Sequence, residues 1–383
     1  MNRIQILHPK KVVFGDGSFG QFADDYLKLS CKRLYVVTIS AVRARVEEAL
    51  QPLAAAGIGV CINTSIREEP AFCDFERLLS EAIDFDADSV AGIGGGSVMD
   101  TAKLVAVQLR SGQTLDDILQ NGVRNKRGTY IACLPTTAGT GSEVSPNAIF
   151  VNNEGNKVGI ISPELVPDAA YIDPALTKGV PPAITAATGI DALAHCLEAY
   201  TNKYAHPVTD LVALEGVRLI GEFLHRAFDN GADQEARTAV ALGSMYGGMC
   251  LGPVNTAGVH ALAYPLSREF HLPHGLSIAL LLPYVMEYNL VEAPERYAAV
   301  ALALGSRETG SAVNVARSGV ILVSDLIRRC GLPDNLTKVN IPREAAGKLA
   351  EQAIQVQRLL KNNPRNISRD DAEKIYISAF GKI

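Results

Sequence analysis

The chain has 383 residues, of which 48% are hydrophobic and 20% charged, and this apolar content excludes a disordered protein. The length predicts two domains, because soluble domains usually contain about 100–200 residues. With 36 Lys and Arg against 41 Asp and Glu, the net charge of -5 offers no basis for binding nucleic acid or an anionic membrane surface.

In the N-terminal half, short β-rich runs alternate with stretches of helical spacing. Residues Ile4–Phe14 are strand-like and available to pair with another subunit. Farther along, the predicted strands are Arg33–Thr38, Gly59–Asn63, Ser89–Ile93 and Tyr130–Leu134. The predicted helices are Arg43–Ala56, Phe72–Phe85 and Val98–Arg110. This alternation predicts βαβ units and a mainly parallel sheet.

Beyond Pro174–Pro182, β-branched runs become rare and helical spacing dominates. The predicted helices are Ala183–Tyr200, Val208–Phe228, Gln234–Leu251, Gly275–Tyr288, Arg296–Leu304, Gly319–Cys330, Arg343–Leu359 and Arg369–Phe380. The sequence therefore predicts an α/β domain with a mainly parallel, Rossmann-like sheet over residues 1–180, followed by an all-helical domain over residues 181–383.

The sequence shows no feature typical of a membrane or secreted protein. Its longest apolar stretch, Leu276–Met286, is well short of the roughly 18 residues that span a bilayer. Met1–Gly17 contains no continuous apolar segment of the kind found in signal peptides. The seven cysteines are scattered and form no CxxC pair, so we expect no disulfide framework and a cytoplasmic location.

A run of three glycines and a serine, Gly94–Ser97, follows one predicted strand and precedes a helix, with Asp100 inside that helix. Glycines let backbone N–H groups approach phosphate oxygens, and the positive end of the helix dipole then faces the anion. The run matches neither the GxGxxG fingerprint nor the P-loop. Phosphate binding and a simple tight turn therefore both remain open for this segment.

A second loop, Pro135–Glu143, also follows a predicted strand and has the sequence PTTAGTGSE. Its four hydroxyl groups can bond a ligand that lies close to the backbone, although a Ser/Thr-rich turn that caps a helix has the same composition. Because α/β proteins bind ligands at the carboxyl ends of parallel strands, this loop strengthens the interpretation of the glycine run as a binding site.

Asp191 and His195 are four residues apart in a predicted helix, so they share one face and can meet one metal ion. Such a pair taken alone is more often a solvated ion pair. His260 and His274 make a metal site the favoured interpretation, because both lie in apolar or glycine-rich segments where an unpaired imidazole is costly. One carboxylate and three imidazoles suit a divalent transition metal, with zinc and iron(II) as candidates.

The other histidines and Cys196 carry weaker signals. His271 is either a pocket residue or merely a neighbour of His274. The polar surroundings of His206 and His225 predict solvated side chains. Cys196 follows His195 and points about 100° away around the helix, which favours a small core residue over a ligand.

Taken together, these motifs resemble the iron-containing (group III) alcohol dehydrogenase family. The matching segments run nearly from end to end, in family order: Pro9–Gly17, Gly94–Lys103, Pro135–Glu143, Gly189–His195, His260–Pro265, Pro273–Gly275 and Asn363–Arg365. The resemblance implies a dinucleotide-binding α/β domain and a helical metal-binding domain. It also implies an NAD(P)-linked oxidoreductase that interconverts a small alcohol and its aldehyde or ketone by hydride transfer.

The resemblance also assigns roles to individual positions. The implied metal ligands are Asp191, His195, His260 and His274. The implied cofactor-binding residues are Gly95, Gly96, Ser97, Asp100, Thr136, Thr137, Thr140, Ser142, Lys157 and Leu176. Asn147 falls where the family places a residue facing the substrate, and Tyr264 is a further candidate at the reaction centre.

Two positions depart from the family's pattern. Members often carry a second histidine four residues after the one at His260, whereas this chain has Tyr264, and a phenol is a poorer proton carrier than an imidazole at neutral pH. Members that prefer NAD often have Asp after the strand Leu34–Thr38, whereas this chain has Ile39 and Ser40. Without that carboxylate the usual basis for excluding NADP is missing, so NAD and NADP both remain candidates.

Other functions and partners stay open at this point. A metal-dependent lyase or cyclase on the same architecture, as in the related dehydroquinate synthases, would use NAD without net redox, and a silent nucleotide- or metal-binding regulator is a third interpretation. The motifs favour the dehydrogenase. We expect a small alcohol or aldehyde substrate, Fe²⁺ with Zn²⁺ as the alternative, no nucleic acid or membrane partner, and a homodimer.

Overall fold

The structure is a computed structural model that describes residues 3–66, 70–152 and 157–381, and the chain divides into two compact units. The first, the sheet unit, comprises Ile6–Thr137 and Gly141–Thr177. The second, the helical unit, runs from Lys178 onward and includes Ala138–Thr140 and the residues before Ile6. Three residues of the hydroxyl-rich loop thus group with the helical unit, while their flanks group with the sheet unit.

The sheet unit is built on six parallel strands in the order β1-β8-β5-β4-β2-β3, with a separate antiparallel pair β6–β7. The strands are β1 (Lys11–Phe14), β2 (Arg33–Thr38), β3 (Gly59–Asn63), β4 (Ser89–Gly94), β5 (Tyr130–Pro135), β6 (Asn147–Val151), β7 (Lys157–Ile161) and β8 (Ala169–Ile172). This architecture confirms the predicted α/β fold with a parallel sheet.

Helices cover both faces of this sheet. They are α1 (Ser18–Tyr26), α2 (Arg43–Ala55), α3 (Phe72–Asp84), α4 (Gly96–Gln108) and α5 (Leu115–Asn121). In β2, Leu34 and Val36 pack in the core with α1 and α2, whereas Tyr35 and Val37 pack in the core with α3 and α4. Because both faces are buried, the strand reads as a continuous apolar run, which is the pattern that predicted it.

The strand expected within Ile4–Phe14 is shorter than predicted, because only Lys11–Phe14 forms a strand. It pairs with β8 of the same chain at one edge of the sheet. The sequence analysis also missed α1 and α5. Both are short helices, of nine and seven residues, so each offers only about two turns of pattern.

The helical unit contains ten α-helices among its described residues. They are α6 (Pro182–Thr201), α7 (Pro207–Asp229), α8 (Gln234–Leu251), α9 (Gly258–Phe270), α10 (His274–Asn289), α11 (Pro294–Ala303), α12 (Ala312–Arg329), α13 (Ala345–Ala353), α14 (Gln357–Leu360) and α15 (Arg369–Ser378). Helix α6 packs against α7, α8 and α10, and most of its residues are buried. Cys196 lies in this core as predicted, with Sγ 3.4 Å from the Gly243 carbonyl oxygen.

Three details of the helical prediction are wrong. Helix α12 begins at Ala312, well before the predicted start at Gly319. The segment Arg343–Leu359, predicted as one helix, forms α13 and α14 with a break between them. Helix α9 was missed because Pro265 stands inside it and a proline in a helical pattern usually marks the end of a helix. No helix in the described part of the chain has the length and apolarity needed to cross a membrane.

Candidate functional site

Four side chains predicted as metal ligands converge within the helical unit. Asp191 and His195 lie one turn apart on α6, His260 lies on α9, and His274 is the first residue of α10. The Asp191 Oδ1 atom is 3.8 Å from Nε2 of His195, 3.4 Å from Nε2 of His260 and 3.5 Å from Nε2 of His274. Donor atoms of Asp191, His195 and His260 lie within 4.8 Å of one another, and His274 Nε2 approaches the same Asp191 oxygen.

These residues fit a metal ion. Ligand atoms at tetrahedral positions about 2.1 Å from an ion lie about 3.4 Å apart, which matches the separations from the Asp191 carboxylate oxygen. Asp191 Oδ1 and His260 Nε2 are buried and have no hydrogen-bond partner within the described part of the chain. Buried polar atoms without partners are costly, and a coordinated cation would satisfy both.

Burial and mutual proximity shift the acidities of this cluster. Burial by itself raises the pKa of Asp191, but His195, His274 and His260 hold it below the ordinary value of an aspartate. Burial lowers the pKa of His195, which keeps that imidazole neutral. An ionised carboxylate and a neutral imidazole are the forms that bind metals.

For His260, burial by itself lowers the pKa, but Glu198 and Asp191 together raise it to about 10. Without a metal ion, the His260 imidazole therefore keeps its second ring proton at neutral pH, between the two carboxylates. A divalent cation beside its Nε2 atom would compensate the same negative charges, so proton release and metal binding are coupled at this residue.

Glu198 is a functional candidate that the sequence analysis missed. Its Oε2 atom lies 2.5 Å from Nδ1 of His260, and its Oε1 atom accepts the backbone N–H of Val259 at 2.6 Å. A signal was present, because Asp191, His195 and Glu198 follow one another at four and three residues and so share one face of α6.

Close backbone approaches hold the ligand-bearing helices in place. His195 Nδ1 lies 3.3 Å from the Gly139 carbonyl oxygen, which orients the ring so that Nε2 faces Asp191. A Cβ atom on Gly139 would lie 2.8 Å from Cβ of Thr188 on α6. A Cβ atom on Gly275 would lie 2.2 Å from the carbonyl oxygen of Ala187. Only glycine fits at these two positions, because any side chain would push α6 away from the loop or from α10.

Tyr264, the departure from the family's pattern, also lies beside this cluster. It stands one turn after His260 on α9, and its ring centroid is 6.0 Å from that of His274. Arg358 on α14 donates a hydrogen bond to the Tyr264 hydroxyl at 3.1 Å. The phenol and a guanidinium group therefore border the candidate metal ligands.

The glycine run forms the turn between β4 and α4 in the sheet unit. Gly95 precedes α4 and no side chain caps the exposed N–H groups of Gly96 and Ser97. A Cβ atom on Gly94 would lie 2.7 Å from the Val98 side chain, so α4 packs directly on the strand. A helix N-terminus of this kind is suited to bind an anion.

Strand β5 lies beside β4, which brings Thr136 and Thr137 next to the glycine turn. The Thr136 N–H donates to the Gly94 carbonyl oxygen at 3.0 Å. A Cβ atom on Gly95 would lie 3.4 Å from Thr137 Oγ1. From β2 the chain continues to β3 on one side of the sheet, and from β4 it continues to β5 on the other side. Ligands of α/β sheets bind at such a point, where the direction of strand order changes.

Asp100 and Ser142 are engaged within the protein. One Asp100 carboxylate oxygen accepts from Ser142 Oγ at 2.5 Å and the other from the Ile149 N–H at 2.9 Å. Lys103, fully buried, lies 3.2 Å from that carboxylate and donates to the Ser142 and Asn147 carbonyl oxygens. This network fixes the chain that follows the hydroxyl-rich loop.

The remaining predicted residues are distributed over both units. Lys157 begins β7 and is half-buried, and Leu176 is buried in the core that includes α1. Asn147 begins β6 and is buried, and its Oδ1 atom has no hydrogen-bond partner. Thr140 belongs to the part of the loop that groups with the helical unit.

Two smaller sequence predictions have clear outcomes. His206 is buried instead of solvated, because its Nδ1 atom accepts the Val208 N–H and so caps α7. After β2, Ser40 is exposed, and the Arg43 side chain pairs with Glu47 at 2.7 Å. Neither position 39 nor position 40 carries a carboxylate, as the sequence predicted.

Comparisons with known proteins match the whole chain to one family. Residues 9–174 match the model described as iron-containing alcohol dehydrogenase, and residues 185–380 match the C-terminal model of the Fe-containing alcohol dehydrogenase family. Long-chain-alcohol dehydrogenase 1 of Geobacillus thermodenitrificans is 37% identical over 386 residues, which cover 99% of this chain and 98% of that protein.

Solved structures agree. The crystal structure of a 1,3-propanediol oxidoreductase has a TM-score of 0.94 and 31% identity, and the match covers 99% of this chain and 100% of that one. Sulfoacetaldehyde reductase from Bifidobacterium kashiwanohense, solved in complex with NAD⁺, has a TM-score of 0.90 and 26% identity, with full coverage of both chains.

Proposed function

The chain belongs to the iron-containing alcohol dehydrogenase family, and from this premise we propose how its residues serve the reaction. The protein is an oxidoreductase that interconverts an alcohol and its aldehyde or ketone. One observation carries the assignment of the site: the Nε2 atoms of three histidines lie 3.4–3.8 Å from Asp191 Oδ1. The lyase alternative has no support among the relatives.

We assign Asp191, His195, His260 and His274 as the ligands of a divalent ion, with iron as the metal of the family and zinc as the alternative. When bound, such an ion acts as a Lewis acid on the alcohol or carbonyl oxygen. Glu198 and the Gly139 carbonyl contact the second ring nitrogens of His260 and His195, so both imidazoles present Nε2 to the site.

The glycine turn is proposed to hold the dinucleotide. Gly95, Gly96 and Ser97 form the positive end of α4, the Thr137 hydroxyl lies close to Gly95, and the Thr136 N–H bonds the Gly94 carbonyl oxygen. The network of Asp100 and Ser142 positions this region, so their role is support. We also propose cofactor contacts for Lys157, Leu176 and Thr140, and a substrate contact for Asn147.

NAD is the proposed cofactor, and the nicotinamide ring accepts or donates the hydride. Support comes from the NAD⁺ complex of the similar sulfoacetaldehyde reductase. The end of β2 carries no carboxylate to repel a 2′-phosphate, so activity with NADP is also expected.

Several residues of the chain shape the environment of the reaction. Asp191, His195 and His260 are buried, with 3–6% of their surface exposed, which excludes bulk water from the donor atoms. The Tyr264 hydroxyl accepts a hydrogen bond from Arg358 and can donate one in turn. A polar group able to hold a proton therefore stands one turn from His260.

We further propose a cytoplasmic homodimer that acts on a small alcohol or aldehyde. The seven cysteines are all free, which supports a reducing compartment. The edge strand β1 pairs with β8 on one side only among the described residues, which supports a subunit contact there.

The test measures the metal content of protein purified without chelators, together with the net change in nicotinamide absorbance during turnover. Asp191→Asn and His260→Ala should lose both bound metal and activity. His225→Ala is a matched control, because His225 and Asp229 form a partly exposed pair at the same four-residue spacing. Full wild-type activity without bound metal would refute the ligand assignment, and turnover without net nicotinamide change would restore the lyase interpretation.

A further inference from the structure

Arg358 is a half-buried cation without a carboxylate partner among the residues that the structure describes. One of its terminal nitrogens donates to Tyr264 Oη at 3.1 Å, and its guanidinium carbon is 5.8 Å from the centroid of that ring. Other arginines of the helical unit contact carboxylates directly, for example Arg218, Arg226 and Arg296.

The position of Arg358 relates it to the candidate metal ligands. The ring of Tyr264 lies 6.0 Å from that of His274, and Tyr264 shares a face of α9 with His260. The distance from the Arg358 guanidinium carbon to the His274 ring centroid therefore cannot exceed the sum of two others. These are 5.8 Å from that carbon to the Tyr264 ring centroid and 6.0 Å from the Tyr264 centroid to the His274 centroid. The Tyr264 ring thus neighbours both Arg358 and the ligand cluster.

The charges around the cluster leave Arg358 in excess. The carboxylates of Asp191 and Glu198 balance a divalent ion, while the three imidazoles are neutral when they bind a metal. The guanidinium has five N–H donors, and among the described residues one of them is used, in the bond to Tyr264. Carboxylates and sulfonates are the groups that such a planar donor set binds with charge-assisted hydrogen bonds.

We propose that Arg358 binds an anionic group of the substrate, so that the enzyme prefers short aldehydes or alcohols that carry a carboxylate or a sulfonate. This inference rests on the proposed function, because it places the reacting oxygen at Asp191, His195, His260 and His274. Arg358 then orients the far end of the substrate, and Tyr264, which contacts Arg358 and neighbours His274, borders the site.

The kinetic test compares succinic semialdehyde with butanal, which have the same carbon chain and differ in the carboxylate. The wild type should show a kcat/KM at least about tenfold higher for the charged aldehyde, and Arg358→Gln should abolish this preference mainly through KM. Arg358→Lys should keep part of it. Arg343→Gln is the matched control, since Arg343 is an exposed arginine 5.6 Å from the Phe380 ring.

A second measurement does not depend on turnover. Calorimetric binding of propanesulfonate, a weak metal ligand, should be at least about tenfold weaker in Arg358→Gln than in the wild type. Equal binding in both proteins would overturn the inference. An equal loss of activity toward succinic semialdehyde and butanal in Arg358→Gln would also overturn it, because Arg358 would then only hold Tyr264 in place. If neither aldehyde is reduced with either nicotinamide, the proposed function fails, while the binding result still decides the role of Arg358.

Discussion

The Glu198 carboxylate and the His260 ring form a contact of 2.5 Å between Oε2 and Nδ1, and both side chains are buried. The other carboxylate oxygen accepts the Val259 N–H at 2.6 Å. A carboxylate can only accept, so Nδ1 of His260 carries a proton, and once the second ring proton is released Nε2 turns its lone pair toward Asp191. Glu198 thereby decides which nitrogen of His260 can bind a metal.

Glu198→Gln is expected to weaken metal binding by about 10–100-fold while the protein stays folded. A glutamine must direct its NH₂ group at either the Val259 N–H or His260 Nδ1, and the second arrangement forces the proton onto Nε2. Metal retention against a competing chelator measures the effect, and the exposed Glu215→Gln on α7 is the control. Unchanged retention in Glu198→Gln would contradict the positioning role.

Lys103→Met is expected to destabilise the sheet unit by about 3–5 kcal/mol, because it leaves the buried Asp100 carboxylate without its cation. The carbonyl oxygens of Ser142 and Asn147 also lose their donor, so the KM for the dinucleotide should rise. Thermal unfolding and cofactor titration test this, with the exposed Lys32→Met as the control. A melting temperature equal to that of the wild type would show that the network is dispensable.

Gly94→Ala is expected to weaken dinucleotide binding and to cost about 1–3 kcal/mol of stability. Its new Cβ atom would lie 2.7 Å from the Val98 side chain, which must move together with the N-terminal turn of α4. In the control Gly20→Ala, an exposed helical position, the new Cβ atom meets nothing within 4 Å. If both variants bind the cofactor equally well, the close approach of α4 to β4 does not position the N–H groups.

Glu143 should make stability depend on pH. Burial raises the pKa of this carboxyl to about 7 from an ordinary value of 4.5. Between these values the native state holds more protons than the unfolded state, so the free energy of unfolding falls as pH rises through this window, by roughly 3 kcal/mol in total.

Glu143→Gln removes the titrating group, so the variant should gain stability over the wild type at pH values above about 7 and lose that advantage below about 4.5. Denaturant unfolding at several pH values checks the difference, and the exposed Glu48→Gln should follow the wild type throughout. A constant difference between Glu143→Gln and the wild type would rule out the titration.

Elements with a strong local pattern were predicted well. Strands β2 and β3 and helix α8 have the predicted bounds, because their periodicity is contained in the segment itself. Helix α9 was missed, since Pro265 reads as a helix end, and the packing of the surrounding helices outweighs that local preference. Local sequence patterns therefore failed to predict the helix that bears His260.

The sequence by itself determined the two-part architecture, the glycine turn and the identity of the candidate ligands, because apolar spacing and backbone requirements act within a few residues. Only the tertiary structure decided which of these groups meet. Glu198 and His260 are 62 residues apart in the chain, and Tyr264 and Arg358 are 94 apart. Such pairs depend on how helices pack to within a fraction of an ångström, and no short stretch of sequence encodes that distance.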